Sequence, residues 1–341
     1  MRDDTPWWPA QGRAAQASPA AVRVQAAGRL HLGFLDPAGS LGRRFGSLGL
    51  VVEGFETVVE LRRAAADEVT ADACVDRDAI ERATRHLHAL RHVTGHSGAL
   101  HLHLQRTLPA HAGLGSGTQL ALAVGHAFAA VAGLPLTTGD VARLTGRGLR
   151  SGVGIAGYDL GGLLLDGGPG DDGRPAPLLS RLPLPAPWRI VLALEPGRQG
   201  LSGEQEKAAL AALPPLPRAA AADLCHQVLM RVLPGAAAGA FEPFAAGICR
   251  MQQVLGEHFA PAQGGSAFAS GAVRRFIEWL GRHAQAAIGQ SSWGPTGFAI
   301  FASADEARTT LAAARAAGVV DPALELHVVR GRNHGATLTP L

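Results

Sequence analysis

Residues 108–128 read LPAHAGLGSGTQLALAVGHAF. Three glycines (Gly113, Gly115, Gly117) and two hydroxyls (Ser116, Thr118) run straight into an apolar segment. There, Leu120, Val124, Phe128 and Val131 recur at helical intervals, which predicts a helix over Ser116–Ala132. A helix N-terminus carries unpaired N–H groups and partial positive charge. Glycines before it let the backbone close around an anion without steric conflict. The stretch therefore suits a phosphate or diphosphate, with Ser116 and Thr118 as hydroxyl donors and Thr118 also placed to approach a metal. A glycine–serine cap without a ligand would use the same residues. The long lead-in TLPAHAG exceeds what a bare cap needs and favours binding.

The loop is not a Walker sequence, because no lysine follows it. Nor is it a dinucleotide fingerprint: the third glycine is not at the right offset, and no acid follows about twenty residues on. The whole chain holds one lysine, Lys207, against thirty arginines. Amides, arginines or a metal ion must supply the charge that a lysine would bring.

The totals fit an enzyme-sized chain. Its 341 residues suffice for two ordinary domains or one two-lobed unit. Apolar residues make up 47%, enough for a sizeable core, and charged residues 17%, below the usual quarter. The net charge of +3 is small and dispersed, with no basic block interleaved with aromatics, which argues against nucleic acid. No apolar run reaches the ~18–20 residues of a membrane span. Cys74, Cys225 and Cys249 lack metal-ligand spacing. Their odd count, with no secretory leader at the start of the sequence, leads us to expect a reducing, cytoplasmic setting.

Outward from the loop, residues 1–20 read as a flexible tail. AVRVQA, RLHLGFLD, LGLVVEG and TVVELRR read as four short strands. Residues 76–93 read as a helix and ALHLHLQ as a strand. After the loop helix come a short helix over 140–147 and AGYDLGGLLLDGG, taken as a glycine-bounded apolar strand. The Gly-, Pro- and Asp-rich segment 167–187 marks a lobe boundary, giving lobes over 21–185 and 186–341. The second half reads as the strand WRIVLALE, helices near 202–213, 217–233, 240–257 and 271–283, the strand TGFAIFAS, a helix over 304–317 and the strand LELHVVR. Strands and helices alternate without a regular βαβ period, so the fold class is α+β.

The loop resembles the second motif of the GHMP small-molecule kinase superfamily, and GRLHLGFLD resembles its first. GRLHLGFLDPAGSLGRRFGSLGL, RGLRSGVGIAGYDLGGLLLDGG, GQSSWGPTGFAIFA and GRNHGA are together similar to the β-ribofuranosylaminobenzene 5′-phosphate synthase branch, from about Arg23 to the C-terminus. The resemblance implies a two-lobed fold, ribosomal S5-like then ferredoxin-like. It implies a pentosyltransferase that joins phosphoribosyl pyrophosphate to 4-aminobenzoate or 4-hydroxybenzoate. CO2 and pyrophosphate are lost, in the synthesis of tetrahydromethanopterin-type carriers. Mg²⁺ and a homodimer are implied as well. An ATP-dependent GHMP kinase acting on a small alcohol is the alternative, since diphosphate and an ATP tail look alike to a helix N-terminus. A non-catalytic relative that binds a phosphorylated metabolite or a partner is a third. SSWGPT, GRRFG and SGVGIAGYD favour the synthase.

Several residues then become candidates. Gly113, Gly115, Ser116, Gly117 and Thr118 would receive the phosphate groups. Arg29, Arg43 and Arg44 sit in glycine-rich segments and would grip the 5′-phosphate or the benzoate carboxylate through bidentate pairs; solvated surface arginines are the other reading. His31 alternates with Leu30 and Leu32 and is either an active-site wall or a satisfied core histidine. Asp36 is a ribose or metal contact, or a turn residue in DPAG. Asp159, in a Tyr158–Asp159 pair, is the candidate for Mg²⁺ or a ribose hydroxyl, whereas Asp166 reads as a turn cap. Ser291, Ser292 and Trp293 would offer donors and a flat face to an aromatic ring. Asn333, beside His334, would close the same cleft.

Overall fold

The computed structural model describes residues 18–170, 175–201 and 203–341. The expected tail over 1–20 lies almost wholly outside them. The chain opens with two long strands, β1 (Ala21–Asp36) and β2 (Phe45–Arg63). Each unites two of the four short strands expected from the sequence. The expected breaks are instead irregularities inside continuous strands. Register shifts between Ala27 and Arg29 and between His31 and Gly33 bracket Arg29–His31. Such bulges bend a strand and re-aim its side chains.

Next come β3 (Glu68–Ala71), α1 (Arg77–Thr94), β4 (Leu100–Arg106), α2 (Ser116–Ala132), α3 (Thr138–Leu144), α4 (Val153–Leu160), β5 (Leu163–Asp166) and β6 (Leu178–Leu182). The second half holds β7 (Arg189–Leu194), α5 (Gly203–Ala212), α6 (Arg218–Gln227) with a π turn to Val232, α7 (Leu233–Ala238), α8 (Phe241–Phe259), α9 (Gly271–His283), β8 (Ala287–Gln290), β9 (Gly297–Phe301), α10 (Ala304–Ala316), β10 (Glu325–Val329) and β11 (Thr337–Pro340). One expected strand, AGYDLGGLLLDGG, is corrected: its residues 156–160 finish the helix Val153–Leu160, and only Leu163–Asp166 are extended.

The strands form two sheets. The first runs β11-β1-β2-β4-β3, with β5 on the leading half of β2 and β6 beyond it. The second runs β10-β7-β9-β8, antiparallel throughout. Because β6 joins the first sheet and β7 the second, the sheets change hands within 183–188. The C-terminus does not stay with the second lobe as the 186–341 assignment expects: β11 returns to pair with β1.

Alternation along the strands explains the packing. Leu100, Leu102 and Leu104 of β4 meet α1 and α2, together with Ala79, Leu87, Leu120 and Phe128. In the second sheet Val191, Ala193, Ala299 and Phe301 face α9 and α10. The opposite face, with Ile190, Leu192, Phe298 and Ile300, packs on α6 and α8 and also on Leu30, Leu32, Leu48 and Leu50 of the first lobe. The two lobes therefore share one core, and that shared seam fixes β1 against the loop before β9.

Candidate active site

α2 starts at Gly115, whose φ of 80° is left-handed, and no side chain caps it. Gly113 is also left-handed, at φ 87°. A β-carbon at Gly113 would strike the Ser291 carbonyl oxygen, and one at Gly115 would lie 3.2 Å from the Arg29 guanidinium. At Gly113 the neighbour is backbone that a side chain would exclude, and at Gly115 the guanidinium would have to shift while the left-handed φ itself disfavours a side chain.

The loop opens onto a cleft of about 400 Å³. Gly113, Gly115, Ser116, Gly117 and Thr118 line it. Arg29, Ser292 and Trp293 line it too. Arg29 Nη1 donates to the Gly113 carbonyl at 3.0 Å, and its Nε is buried without a partner. Burial draws the Arg29 pKa down to about 10, with Glu206 opposing. The cleft also takes in Arg82 from α1, Arg147 and Arg150 from the link between α3 and α4, and Glu206 from α5. None of these four was singled out from sequence. Glu206 pairs with Arg150 at 2.6 Å. Two cleft residues, His111 (φ 55°) and Ser292 (φ 54°), hold left-handed backbones without being glycine, a strain that proteins keep where surrounding structure enforces it.

Ser291 is buried and joins three segments: its hydroxyl donates to Gly113 O at 2.7 Å and accepts from His31 N at 2.9 Å. It shapes the site rather than facing it. The Ser292 amide donates to the His31 carbonyl. Behind this tie lies a second, smaller cavity of about 40 Å³, lined by His31, Phe34, Gln252, Phe259, Gln263 and Trp293 among others. Ser292 and Trp293 form a wall common to both spaces. Trp293, 4% exposed, meets Phe259 with ring centres 4.7 Å apart. His31, also 4% exposed, sits edge-on to Phe34 at 4.6 Å, and its Nε2 has no partner. Burial, then Arg29 and Arg150, push its pKa down to about 3, so the ring is neutral.

The remaining candidates are placed elsewhere. Asp36 accepts from the amides of Gly39 and Ser40 and from the Ser40 hydroxyl; it is the turn residue. Arg43 donates to the Gly168 carbonyl. Arg44 lines a neighbouring pocket with Arg150, Lys207 and His258, outside the cleft at the glycine loop. Asp159 accepts from the Thr138 hydroxyl at 2.5 Å, at the start of α3, and is not among the residues lining the cleft. Asp159 is therefore not brought to the glycine loop with the other candidates, and no group of three His, Cys, Asp or Glu suited to a metal occurs among the described residues. Asn333 exchanges two hydrogen bonds with the Leu184 backbone and anchors the returning C-terminal segment. Asp166 is fully buried and accepts from the amides of Ser47, Gly152, Val153 and Gly168, capping α4. The common cause is that a carboxylate or amide beside glycine suits a turn as well as a ligand.

Comparison with known proteins bears on the family and the fold. Residues 78–161 match the GHMP kinases N terminal domain and 232–320 the GHMP kinases C terminal domain. A beta-ribofuranosylphenol 5′-phosphate synthase of Archaeoglobus fulgidus is 32% identical over 294 residues, 82% of this chain and 87% of that protein. The protein of the same name from Methanothermobacter thermautotrophicus is 28% identical over 90% of this chain and 95% of its own. Among solved structures, homoserine kinase from Cytophaga hutchinsonii superposes with a TM-score of 0.67 at 16% identity, covering 96% of this chain and all of that one. Mevalonate diphosphate decarboxylase from Staphylococcus aureus gives 0.66 at 13% over the same shares. These structures establish the two-lobed α+β fold. No helix among the described residues is long and apolar enough to cross a membrane.

Proposed function

The chain belongs to the family of the beta-ribofuranosylphenol 5′-phosphate synthases, and from that premise we propose that it is a decarboxylating pentosyltransferase. Its donor is phosphoribosyl pyrophosphate and its acceptor a para-substituted benzoate. The relatives' name makes the product a phenol, which puts 4-hydroxybenzoate ahead of 4-aminobenzoate. The single observation that carries the reading is the common wall: Ser292 and Trp293 separate an arginine-lined phosphate cleft from an aromatic pocket.

In the proposed step the ribose C1–O bond breaks and diphosphate leaves with the electron pair. The ring carbon bearing the carboxylate bonds to C1. The carboxylate departs as CO2, and its bonding pair restores the ring. No proton has to be removed. This suits a site whose one lining carboxylate among the described residues, Glu206, is already paired with Arg150. The loop amides at Gly115–Thr118 and the Arg29 guanidinium meet the charge that develops on the leaving oxygens, and fixed donors of this kind lower such barriers. Neutral His31 offers Nε2 to the acceptor. The aromatic pocket is smaller than the ~150 Å³ apolar cavity that admits benzene, so Phe259 and Trp293 must part to seat the ring.

Mg²⁺ belongs to the same proposal. One carboxylate and two hydroxyls make a thin protein ligand set, which fits an ion that keeps most of its contacts to substrate phosphates. Glu206, Ser116 and Thr118 would hold it, and when bound it would neutralise phosphate oxygens. A cytoplasmic homodimer working toward tetrahydromethanopterin completes the reading; three free cysteines suit a reducing compartment. The test is incubation with Mg²⁺, phosphoribosyl pyrophosphate and carboxyl-labelled 4-hydroxybenzoate or 4-aminobenzoate. Labelled CO2 and pyrophosphate in equal amounts are expected. ATP consumption with a phosphorylated alcohol would replace this reading with a kinase.

A further inference from the structure

The cationic groups of the phosphate cleft fall into two sets. Arg29 lies against Gly115, on the side of the aromatic pocket, with Arg150 and Glu206. Arg147 lies at the other end: its Nη1 is 3.3 Å from where a Gly117 β-carbon would stand. A β-carbon at Gly117 would make a tight contact with that guanidinium, so glycine leaves room for Arg147 against the first turn of α2. Arg147 Nη2 donates to His86 Nε2 at 3.3 Å, and its Nε is buried without any partner. No acid is paired with it among the described residues. Arg82, one turn before His86 on α1, lines the same end; its side chain is 13% exposed and is held by Asp78 at 2.9 Å. Burial and the nearby Arg147, Arg82 and Arg85 push the His86 pKa down to about 4, so the ring is neutral and accepts from Arg147. Two guanidiniums thus share one end of a helix N-terminus with a single acid between them. Such a cluster repels itself until an anion enters.

We infer that Arg82 and Arg147 hold the distal phosphate of the sugar diphosphate, and so select a diphosphate donor over a monophosphate. The inference rests on the reading above, because it takes the proximal phosphate to lie at Gly115 and Arg29, next to the aromatic pocket. The carbon that receives the ring carries the diphosphate, so the proximal phosphate must adjoin that pocket. The distal one extends along the first turn of α2 to Gly117, where Arg147 and Arg82 wait. His86 is a positioning residue that fixes the Arg147 guanidinium from behind.

The test is calorimetric titration of the intact protein with inorganic pyrophosphate and, separately, inorganic phosphate, followed by kinetics with phosphoribosyl pyrophosphate. Arg147→Gln and Arg82→Gln should each weaken pyrophosphate by about tenfold or more, the scale of a lost charge-assisted hydrogen bond. Phosphate, which needs only the proximal site, should change less than about threefold. KM for the donor should rise in both variants, and Arg147→Lys should recover part of the loss. Circular dichroism establishes that each variant is folded; should one position fail to fold, the other carries the same expectation. Equal weakening of both anions, or none, in folded variants would overturn the inference and leave the proposed reaction standing. Failure of the unaltered protein to bind pyrophosphate at all would overturn both.

Discussion

The Ser291 hydroxyl donates to the carbonyl of Gly113 at 2.7 Å while accepting from the backbone N–H of His31 at 2.9 Å. One buried side chain from the loop before β9 thereby sets the glycine loop before α2 against β1. Ser291→Ala would leave the buried His31 N–H without its acceptor, at a cost of about 1–3 kcal/mol, and the Gly113 carbonyl with Arg29 as its remaining side-chain donor. Urea unfolding is expected to show that loss, with a larger fall in turnover than in donor binding, because the aromatic pocket and the loop lose their register. Unchanged stability and turnover would show that the tie is dispensable.

Gly115→Ala tests the cradle itself. The left-handed φ of 80° at Gly115 costs a residue with a β-carbon about 1 kcal/mol, and the new methyl would press on Arg29. Pyrophosphate affinity is expected to fall about tenfold or more, with the far-UV spectrum and cooperative unfolding kept. Retained affinity would remove the loop from the mechanism.

His31 and His86 give a pH signature. Their folded pKa values, about 3 and about 4, lie below the ordinary 6.5. Below pH 6.5 the unfolded chain takes up protons that the folded chain refuses. Their contribution to stability is therefore whole above 6.5 and is lost as pH falls toward 3 or 4. His31→Leu should flatten the decline of unfolding free energy over that window by up to about 1.4 kcal/mol per pH unit. An unaltered slope in urea titrations from pH 7 to 4 would contradict a buried neutral imidazole.

Glu206 holds Arg150, one of the guanidiniums that line the cleft at the glycine loop. Helix α5, which carries it, has no buried residue among those described, so the 2.6 Å pair with Arg150 is a main attachment over the cleft. Without Mg²⁺, Glu206→Gln should bind pyrophosphate several-fold more tightly, since an anion leaves the site. With Mg²⁺ the gain should vanish, because a ligand of the ion leaves too. A gain that persists with Mg²⁺ would remove Glu206 from metal binding.

Much of this was legible in residues 21–167. Helix α2 begins and ends where the spacing of Leu120, Val124, Phe128 and Val131 predicts, because a continuous apolar stripe and flanking glycines leave little freedom. Helix α4 was missed because its eight residues include two glycines and merge with the apolar run of β5, so no helical period shows. Strand β6 was lost in a segment whose Gly, Pro and Asp content masks it. Arg82, Arg147 and Arg150 escaped notice for a different reason. They come from a helix upstream of the loop and a link downstream of it, and only the packing of α1 and α4 around α2 brings them together. Asp36, Asp159 and Asn333 attracted attention by their glycine-rich settings, yet each satisfies the chain's own backbone or hydroxyls.

A crystal structure of the protein with phosphoribosyl pyrophosphate and Mg²⁺, prepared without acceptor, bears most directly on the central claim. The diphosphate is expected on the amides of Gly115–Thr118 between Arg29 and Arg147, with ribose C1 turned toward His31 and Trp293. Diphosphate density in another pocket, with this turn closed by its own side chains, would contradict it.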